Sequence, residues 1–421
     1  MFAIICPSCQ CQNCCTHRKI TDGPVIEWSE MVNSSACSRV AVVHDSCTDS
    51  SGNLYVVGTW EYHTGGRQYF GFVQQWNSDG ELQWTKHYRP QLFCCTTDST
   101  TLWVGGQTLP LPSTAEDDPP EYTASNLLSL DPDDGAINWD VLSWHSAIYD
   151  CIHNGAGKVY VCGTLNPYSG PDLPTYYAGC GYASLHDTDG EHEVSFGGSS
   201  VDPGFTDLGW FSAEQLAAWG IDGSVFFHAG NSIAYSIDLD PEGNVYVGST
   251  PWRATSCSAM GCGPGGSVAK FTTSHDLEWL LGNYTCSAVR YYDGDVYCGF
   301  SKTLFAVSGV PYQYVEAVPG CWLQRWTTDE VTRVWGRTLQ ADETPQMAGN
   351  AGNRPGGVMD IDVSATGVYA VHQWWLSKLD HSGGYAWSSK HTRRVDDWAM
   401  PYYTVEVDPV EESETLYVGG R

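Results

Sequence analysis

Residues 236–250 read SIDLDPEGNVYVGST. Two short alternating runs flank a polar turn, Asp240-Pro241-Glu242-Gly243-Asn244, in which glycine supplies the positive φ of a tight hairpin. The second run, Val245-Tyr246-Val247, joins β-branched and aromatic residues and predicts a strand buried on both faces. Two further strand-like runs follow, SVAKF (267–271) and HDLEWLLG (275–282), the latter carrying Trp279. An earlier copy has the same order: DSSGNLYVVGT (49–59), GFVQQW (71–76) and DGELQWTK (79–86).

The second-strand aromatic recurs at Tyr55, Trp103, Tyr160, Tyr246, Tyr297, Tyr369 and Tyr417, which makes seven copies. The fourth-strand aromatic gives a separate tally: Trp84, Trp139, Phe196, Trp279, Trp335 and Trp387. The seventh copy stops at LYVGGR, before its Trp strand. The missing half stands at the other end of the chain, where FAIIC (2–6) fills the third-strand slot and DGPVIEWSE (22–30) carries Trp28 in the fourth. These observations predict an all-β fold, a seven-bladed β-propeller formed by residues 1–421 as one domain. Strands 2–6 and 24–30 complete the blade begun at 401–421, which leaves no open sheet edge. The repeated tryptophans pack between blades.

YVGS followed by D-x-x-G-x-x-x-W resembles pyrroloquinoline-quinone-type propeller repeats, and D-x-x-G-N-x-Y-V-x-G resembles bacterial seven-bladed propeller repeats. The resemblance implies the fold far more than a function, because propellers host many unrelated activities. Quinone-dependent alcohol dehydrogenases carry a vicinal disulfide, and Cys94-Cys95 is a vicinal pair. It lies in a first strand, LFCCTT, where adjacent side chains point to opposite faces, so two ordinary buried cysteines are expected. No cofactor-binding residues of that class can be matched.

Acidic residues outnumber basic ones 49 to 20, a formal charge of −29. Such a surface repels nucleic acid and anionic lipid. No apolar run has the length of a membrane helix, and the opening Met1–Cys6 is too short for a secretory leader. Yet 17 cysteines are many for a reduced cytosol. Either the thiols stay free and buried, or the protein is made in a cytosol and works outside it, as a virion component released by lysis would.

Turns after first and third strands are short, and connections after second and fourth strands are long (59–70, 106–124, 164–180, 249–266, 301–320, 197–231 and 336–356). Length therefore collects on one face, where a rigid scaffold carries its function. Within 197–231, Ser212 and Gln215 form a capping box, and a short helix is predicted over 213–219.

Several clusters are candidate sites. Cys6, Cys9, Cys11, Cys14, Cys15 and His17 have the ligand types of zinc, although the C-x-x-C pairs are nearly fused; zinc, disulfides and free thiols all remain open. Asp238, Asp362 and Glu406 align at one level of the channel-lining first strands, with Cys47, Cys95, Cys151 and Arg290 at or near it. Three converging carboxylates either hold Ca²⁺ or a cationic ligand, face channel water, or accept amides of the next blade. Cys257, Cys262, Cys180 and Cys321 lie in or beside the long connections and would cross-link that face in an oxidising setting. Asn33 and Asn283 head glycosylation sequons. No G-x-S-x-G, H-E-x-x-H or phosphate-binding loop appears.

The expected function is a non-enzymatic binding or assembly module, at a phage or other virion surface. Its partner on the long-loop face is a protein or glycan, and the chain itself assembles or oligomerises. The alternatives are a propeller enzyme, either quinone-dependent or a hydrolase or lyase, and an exported cell-surface propeller.

Overall fold

The computed structural model describes residues 2–5, 26–30, 39–62, 68–107, 125–141, 145–165, 181–196, 234–249, 268–281, 285–301, 321–339, 358–372, 375–390, 394–395, 398–399, 402–407 and 416–420. Every regular element among them is a β-strand. The chain opens with β1 (Phe2–Ile5) and β2 (Ile26–Glu30). Six antiparallel four-stranded meanders follow. The first is β3 (Arg39–Thr48), β4 (Leu54–Tyr62), β5 (Gln68–Trp76) and β6 (Leu82–Tyr88); the second is β7 (Gln91–Thr97), β8 (Leu102–Gln107), β9 (Leu127–Leu130) and β10 (Ile137–Val141). The third is β11 (His145–His153), β12 (Val159–Leu165), β13 (Gly181–His186) and β14 (His192–Phe196); the fourth is β15 (Ala234–Leu239), β16 (Val245–Ser249), β17 (Val268–Phe271) and β18 (Leu277–Leu281). The fifth is β19 (Thr285–Tyr292), β20 (Asp295–Ser301), β21 (Cys321–Thr327) and β22 (Arg333–Leu339); the sixth is β23 (Val358–Ser364), β24 (Gly367–His372), β25 (Trp375–Leu379) and β26 (Tyr385–Lys390). A two-stranded ribbon, β27 (Arg394–Val395) and β28 (Trp398–Ala399), precedes β29 (Tyr402–Val407) and β30 (Leu416–Gly420).

The last two strands form a mixed sheet with the first two, in the order β2-β1-β30-β29. β29 and β30 are antiparallel, whereas β1 runs parallel to β30 and β2 parallel to β1. The two N-terminal segments thus take the third and fourth places of this sheet, but not the direction of the other meanders. A hairpin forces antiparallel pairing. No hairpin joins β30 to β1, and the stretch 6–25 between β1 and β2 is long enough for a parallel crossover.

Successive sheets pack through their first strands: β3 on β7, β7 on β11, β11 on β15, β15 on β19, β19 on β23 and β23 on β29, while β29 also lies against β3. Four-stranded sheets stacked around their first strands make a β-propeller. The core lies between neighbouring sheets. Val57 and Val73 of the first meander, for example, pack with Leu92, Leu102, Val104 and Leu128 of the second. Each such side chain contributes roughly 1.5–3 kcal/mol by leaving water.

The sequence phrase D-x-x-G-N-x-Y is one hydrogen-bonded unit. The Asp49 carboxylate accepts the backbone N–H of Ser51 (2.8 Å) and Asn53 (2.9 Å), the Asn53 amide (2.8 Å) and the Tyr55 hydroxyl (3.2 Å). Asp240 does the same for Asn244 and Tyr246. The fourth-strand tryptophans tie blade to blade. The indole N–H of Trp84 donates to Pro132 O, Trp139 to Thr188 O, Trp279 to Thr328 O and Trp335 to His381 O, each acceptor lying in the third turn of the next sheet. Glycine is required beneath three of these rings: at Gly190 (φ +82°) a Cβ would lie 2.6 Å from the Trp139 ring, at Gly383 (φ +81°) 2.9 Å from Trp335, and at Gly135 (φ +73°) 2.9 Å from Trp84. Trp387 packs on Tyr369 with ring centroids 6.2 Å apart, and Trp28 lies in β2, its side chain outside the described residues.

Candidate functional site

Every first strand carries a β-bulge at the same level. The register shifts between Val43 and Asp45, Leu92 and Cys94, Ile148 and Asp150, Ala234 and Ser236, Cys286 and Ala288, Val358 and Asp360, and Tyr402 and Thr404. The extra residue of a bulge leaves the ladder and its side chain is re-aimed. Six of these residues, His44, Phe93, Tyr149, Tyr235, Ser287 and Met359, line a single cavity of about 500 Å³ counting its open mouth. The bulges lie near the starts of the first strands, on the face bearing the long connections. Those connections fall largely outside the described residues, as does the helix predicted over 213–219.

Four of the bulge residues form an aromatic arc. His44 meets Phe93 edge-on (5.1 Å, 85°), Phe93 stacks on Tyr149 (5.6 Å, 8°), and Tyr149 meets Tyr235 at a tilt (5.6 Å, 56°). They come from four successive sheets, and each is half-buried.

The floor of the cavity is charged: Asp45, Asp150, Asp360 and Arg290, with Ser236. These carboxylates follow directly after a bulge, and each reaches the next first strand around the channel. Asp45 accepts the backbone N–H of Cys95 (2.9 Å), Asp150 that of Ile237 (2.9 Å) and Asp360 that of Val405 (3.0 Å); the Ser236 hydroxyl accepts from Val289 (3.1 Å). Arg290 stands among them, its Nη1 3.7 Å from Asp150 and its Nη2 3.4 Å from Asp360.

A second tier lies deeper. Opposite the second-strand aromatics the register places Cys47, Thr96, Ile152, Asp238, Arg290, Asp362 and Glu406. Asp238, Asp362 and Glu406 therefore do share a level, while Cys95 and Cys151 sit one residue earlier. Asp238 accepts the N–H of Tyr291 and Asp362 that of Val407, both at 2.6 Å, and Glu406 accepts from the Thr48 hydroxyl (3.3 Å). Asp238 and Asp362 thus clasp strands. Among the described residues no group of three His, Cys, Asp or Glu side chains is placed to share a metal ion. The calcium expectation for this tier has no such geometry behind it.

Among the described residues six carboxyl groups surround the Arg290 guanidinium, and the proton affinities of Asp45, Asp150, Asp238, Asp362 and Glu406 reflect it. Burial, with Asp150 and Asp360 nearby, pushes Asp45 up to about 8. Burial also raises Asp238 and Asp362 to about 6, and raises Asp150 and Glu406, against the opposing pull of Arg290. For Arg290 burial acts downward, but Asp360, Asp150, Asp238 and Asp362 prevail and hold its pKa well above the ordinary value.

Cys47, Cys94, Cys95, Cys151, Cys162, Cys286 and Cys298 are buried free thiols, so Cys94 and Cys95 form no vicinal disulfide. Burial raises the pKa of Cys94, Cys95 and Cys162 well above the ordinary thiol value, which suppresses the reactive thiolate. Cys6, Cys9, Cys11, Cys14, Cys15, His17, Cys180, Cys257 and Cys262 lie outside the described residues; Cys321 begins β21, its side chain likewise outside them.

No family model matches the chain, and no curated protein matches it. Among solved structures it is similar to the WD40 domain of Pan2 from Neurospora crassa, at 8% identity over 90% of this chain and 89% of that one, with a TM-score of 0.49. It is also similar to the C-terminal WD40 domain of Sif2 (8% identity, 87% and 90% covered, TM-score 0.43). A protein of unknown function from Bacteroides caccae gives 11% identity, 83% and 94% covered, and a TM-score of 0.40.

Proposed function

We propose that this chain is a seven-bladed β-propeller, closed by the pairing of its two ends, that works as a protein-interaction module. Its recognition site is the mouth of the central channel. The observation carrying this reading is the coincidence of the bulges. Bulged strands are a device for re-aiming side chains, and here the re-aimed residues of six sheets converge on one cavity. Four are aromatic, large surfaces that lose little conformational freedom on binding. The pairing of β1 with β30 and the contact of β29 with β3 support closure of the ring.

The setting we infer is an outer surface such as that of a virion, supported by the high acidity and the cysteine number. Neighbouring genes for capsid or tail proteins would bear this out, and their absence would remove it.

The interaction reading is tested by crosslinking the full chain to its partners in source-cell extract, then repeating with Phe93→Ala and Tyr149→Ala. Leu82→Ala, at an exposed position on β6, serves as control. The expected result is a partner lost from both channel variants and kept by the control. A partner retained by the channel variants would place recognition elsewhere.

A further inference from the structure

The cavity is asymmetric in chemistry. One wall is the aromatic arc His44-Phe93-Tyr149-Tyr235; the floor holds Asp45, Asp150 and Asp360 around Arg290. Below them lie Asp238, Asp362 and Glu406, which also act on Arg290 or on its neighbours. An anion entering from the mouth would meet one guanidinium already flanked by Asp150 and Asp360, inside a chain of formal charge −29. The field of the ionised carboxylates around Arg290 disfavours it. Among the described residues that line the cavity, acid outnumbers base.

Resting on the reading of the channel mouth as a recognition site, we propose that the group it receives is a basic side chain, lysine or arginine, of a protein partner. The aromatic arc packs against the aliphatic stem, and the Asp45–Asp150 side of the floor meets the charged head. Two arguments favour a side chain over a bare cation. The floor carboxylates already accept backbone N–H groups at 2.9–3.0 Å, so few lone pairs are left to dehydrate a metal ion. The walls, with Met359 and the arc, offer apolar and aromatic surface that a stem uses and a hydrated ion does not.

Protonation at the floor agrees with this. Among the described residues, around Asp45 stand Asp150 from β11, Asp360 from β23, Glu406 from β29, Cys95 from β7, His44 and Cys47 on its own strand, and the Arg290 guanidinium from β19. With these neighbours Asp45 keeps a proton at neutral pH. An arriving ammonium or guanidinium favours the carboxylate, so binding expels a proton into solvent and is stronger at pH 8 than at pH 6.

The test uses the full chain and blocked pentapeptides Gly-Ser-X-Ser-Gly with X as Arg, Lys, Gln or Glu, titrated by calorimetry in two buffers of different ionisation enthalpy. The expected result is at least tenfold tighter binding for Arg or Lys than for Gln, a heat that depends on the buffer through proton release, and a tenfold loss in Tyr149→Ala. In Asp45→Asn the proton release falls and the basic peptides bind more weakly, while the Gln peptide is unaffected; unchanged proton release and affinity in this variant overturn the placing of the charged head at Asp45. Equal binding of Gln and Arg peptides, or preference for Glu, overturns the basic-side-chain inference while leaving the channel mouth as the site if Tyr149→Ala weakens it. Displacement of the Arg peptide by a neutral oligosaccharide or by Ca²⁺ also overturns it, in favour of that occupant. Basic peptides that bind Tyr149→Ala and the unaltered chain alike overturn both this inference and the choice of the channel mouth.

Discussion

Asp45→Asn separates a neutral floor carboxyl from an ionised one. In the folded protein burial and the neighbouring carboxylates move the Asp45 pKa from 3.8 to about 8. Between those values the folded chain holds a proton that the unfolded chain has released, so stability is fully present below pH 3.8 and is lost as pH rises toward 8. The slope is about 1.4 kcal/mol per pH unit, which from pH 5 to pH 8 amounts to about 4 kcal/mol. Asparagine has the shape of the protonated acid, can still accept the Cys95 N–H, and does not titrate. The variant should therefore match the parent near pH 4 and gain on it by up to about 4 kcal/mol at pH 8. Were Asp45 ionised at neutral pH, the same change would weaken hydrogen bonds to a charged group, those from Cys95 and Thr404, and cost about 1.5–3 kcal/mol. The two cases differ in sign. Urea unfolding of both proteins at pH 5, 6.5 and 8 decides between them, and taking the difference cancels the histidines, of which buried His372 has its pKa lowered to about 4. A difference constant with pH, or destabilisation that deepens above pH 5, would refute the reasoning.

Gly190→Ala should cost about 2–4 kcal/mol, since its Cβ would sit 2.6 Å from the Trp139 ring at φ +82°; Gly294→Ala, at φ +84° with nothing within 4 Å, should cost only about 1 kcal/mol, and equal losses in thermal melts would contradict the Trp–turn account. Trp335→Phe keeps most of the ring but loses the bond to His381 O, for an expected loss of about 0.5–1.5 kcal/mol by urea titration. Deleting residues 1–30 removes the strands paired with β30 and should lower the melting temperature and promote self-association; an unchanged, monomeric protein would argue against closure. Brief alkylation of the native protein should spare Cys47, Cys94, Cys95, Cys151, Cys162, Cys286 and Cys298, all of which react after denaturation; peptide mass mapping reads each site.

The strands and their order were legible because their signals are local. Asp49 and Asp240 advertise a turn, and the tyrosine six residues on belongs to the same hydrogen-bonded unit, so the phrase D-x-x-G-N-x-Y reads as chemistry and not only as pattern. The level of Asp238, Asp362 and Glu406 was legible for the same reason: it lies a few residues from the turn, before any irregularity can shift it. The upper tier was not. A bulge adds one residue without changing composition, so alignment on the turn cannot show that Asp45, Asp150 and Asp360 face the channel one step beyond it. A signal was present nonetheless. His44-Asp45, Tyr149-Asp150, Tyr235-Ser236 and Met359-Asp360 each pair a bulky residue with a small polar one near the start of a first strand. Read together, they mark the bulge. The direction of β1 and β2 was illegible for a different reason, because strands not joined by a tight turn carry no local instruction about orientation.

The two tiers explain why this channel holds so much acid. Asp45, Asp150 and Asp360 on the floor and Asp238 and Asp362 below it each bridge to an N–H on the neighbouring first strand, so the acids substitute for the backbone pairing that separate sheets cannot make with one another. Such a clasp needs an acceptor, and a carboxylate is the strongest one available. Repeating it around a narrow ring crowds negative charge, which Arg290 and retained protons offset. Structural demand thus produces a site short of positive charge at the place where the bulges gather aromatic surface. A scaffold held together in this way gathers acid at its channel mouth, which is the feature the proposed basic side chain would meet.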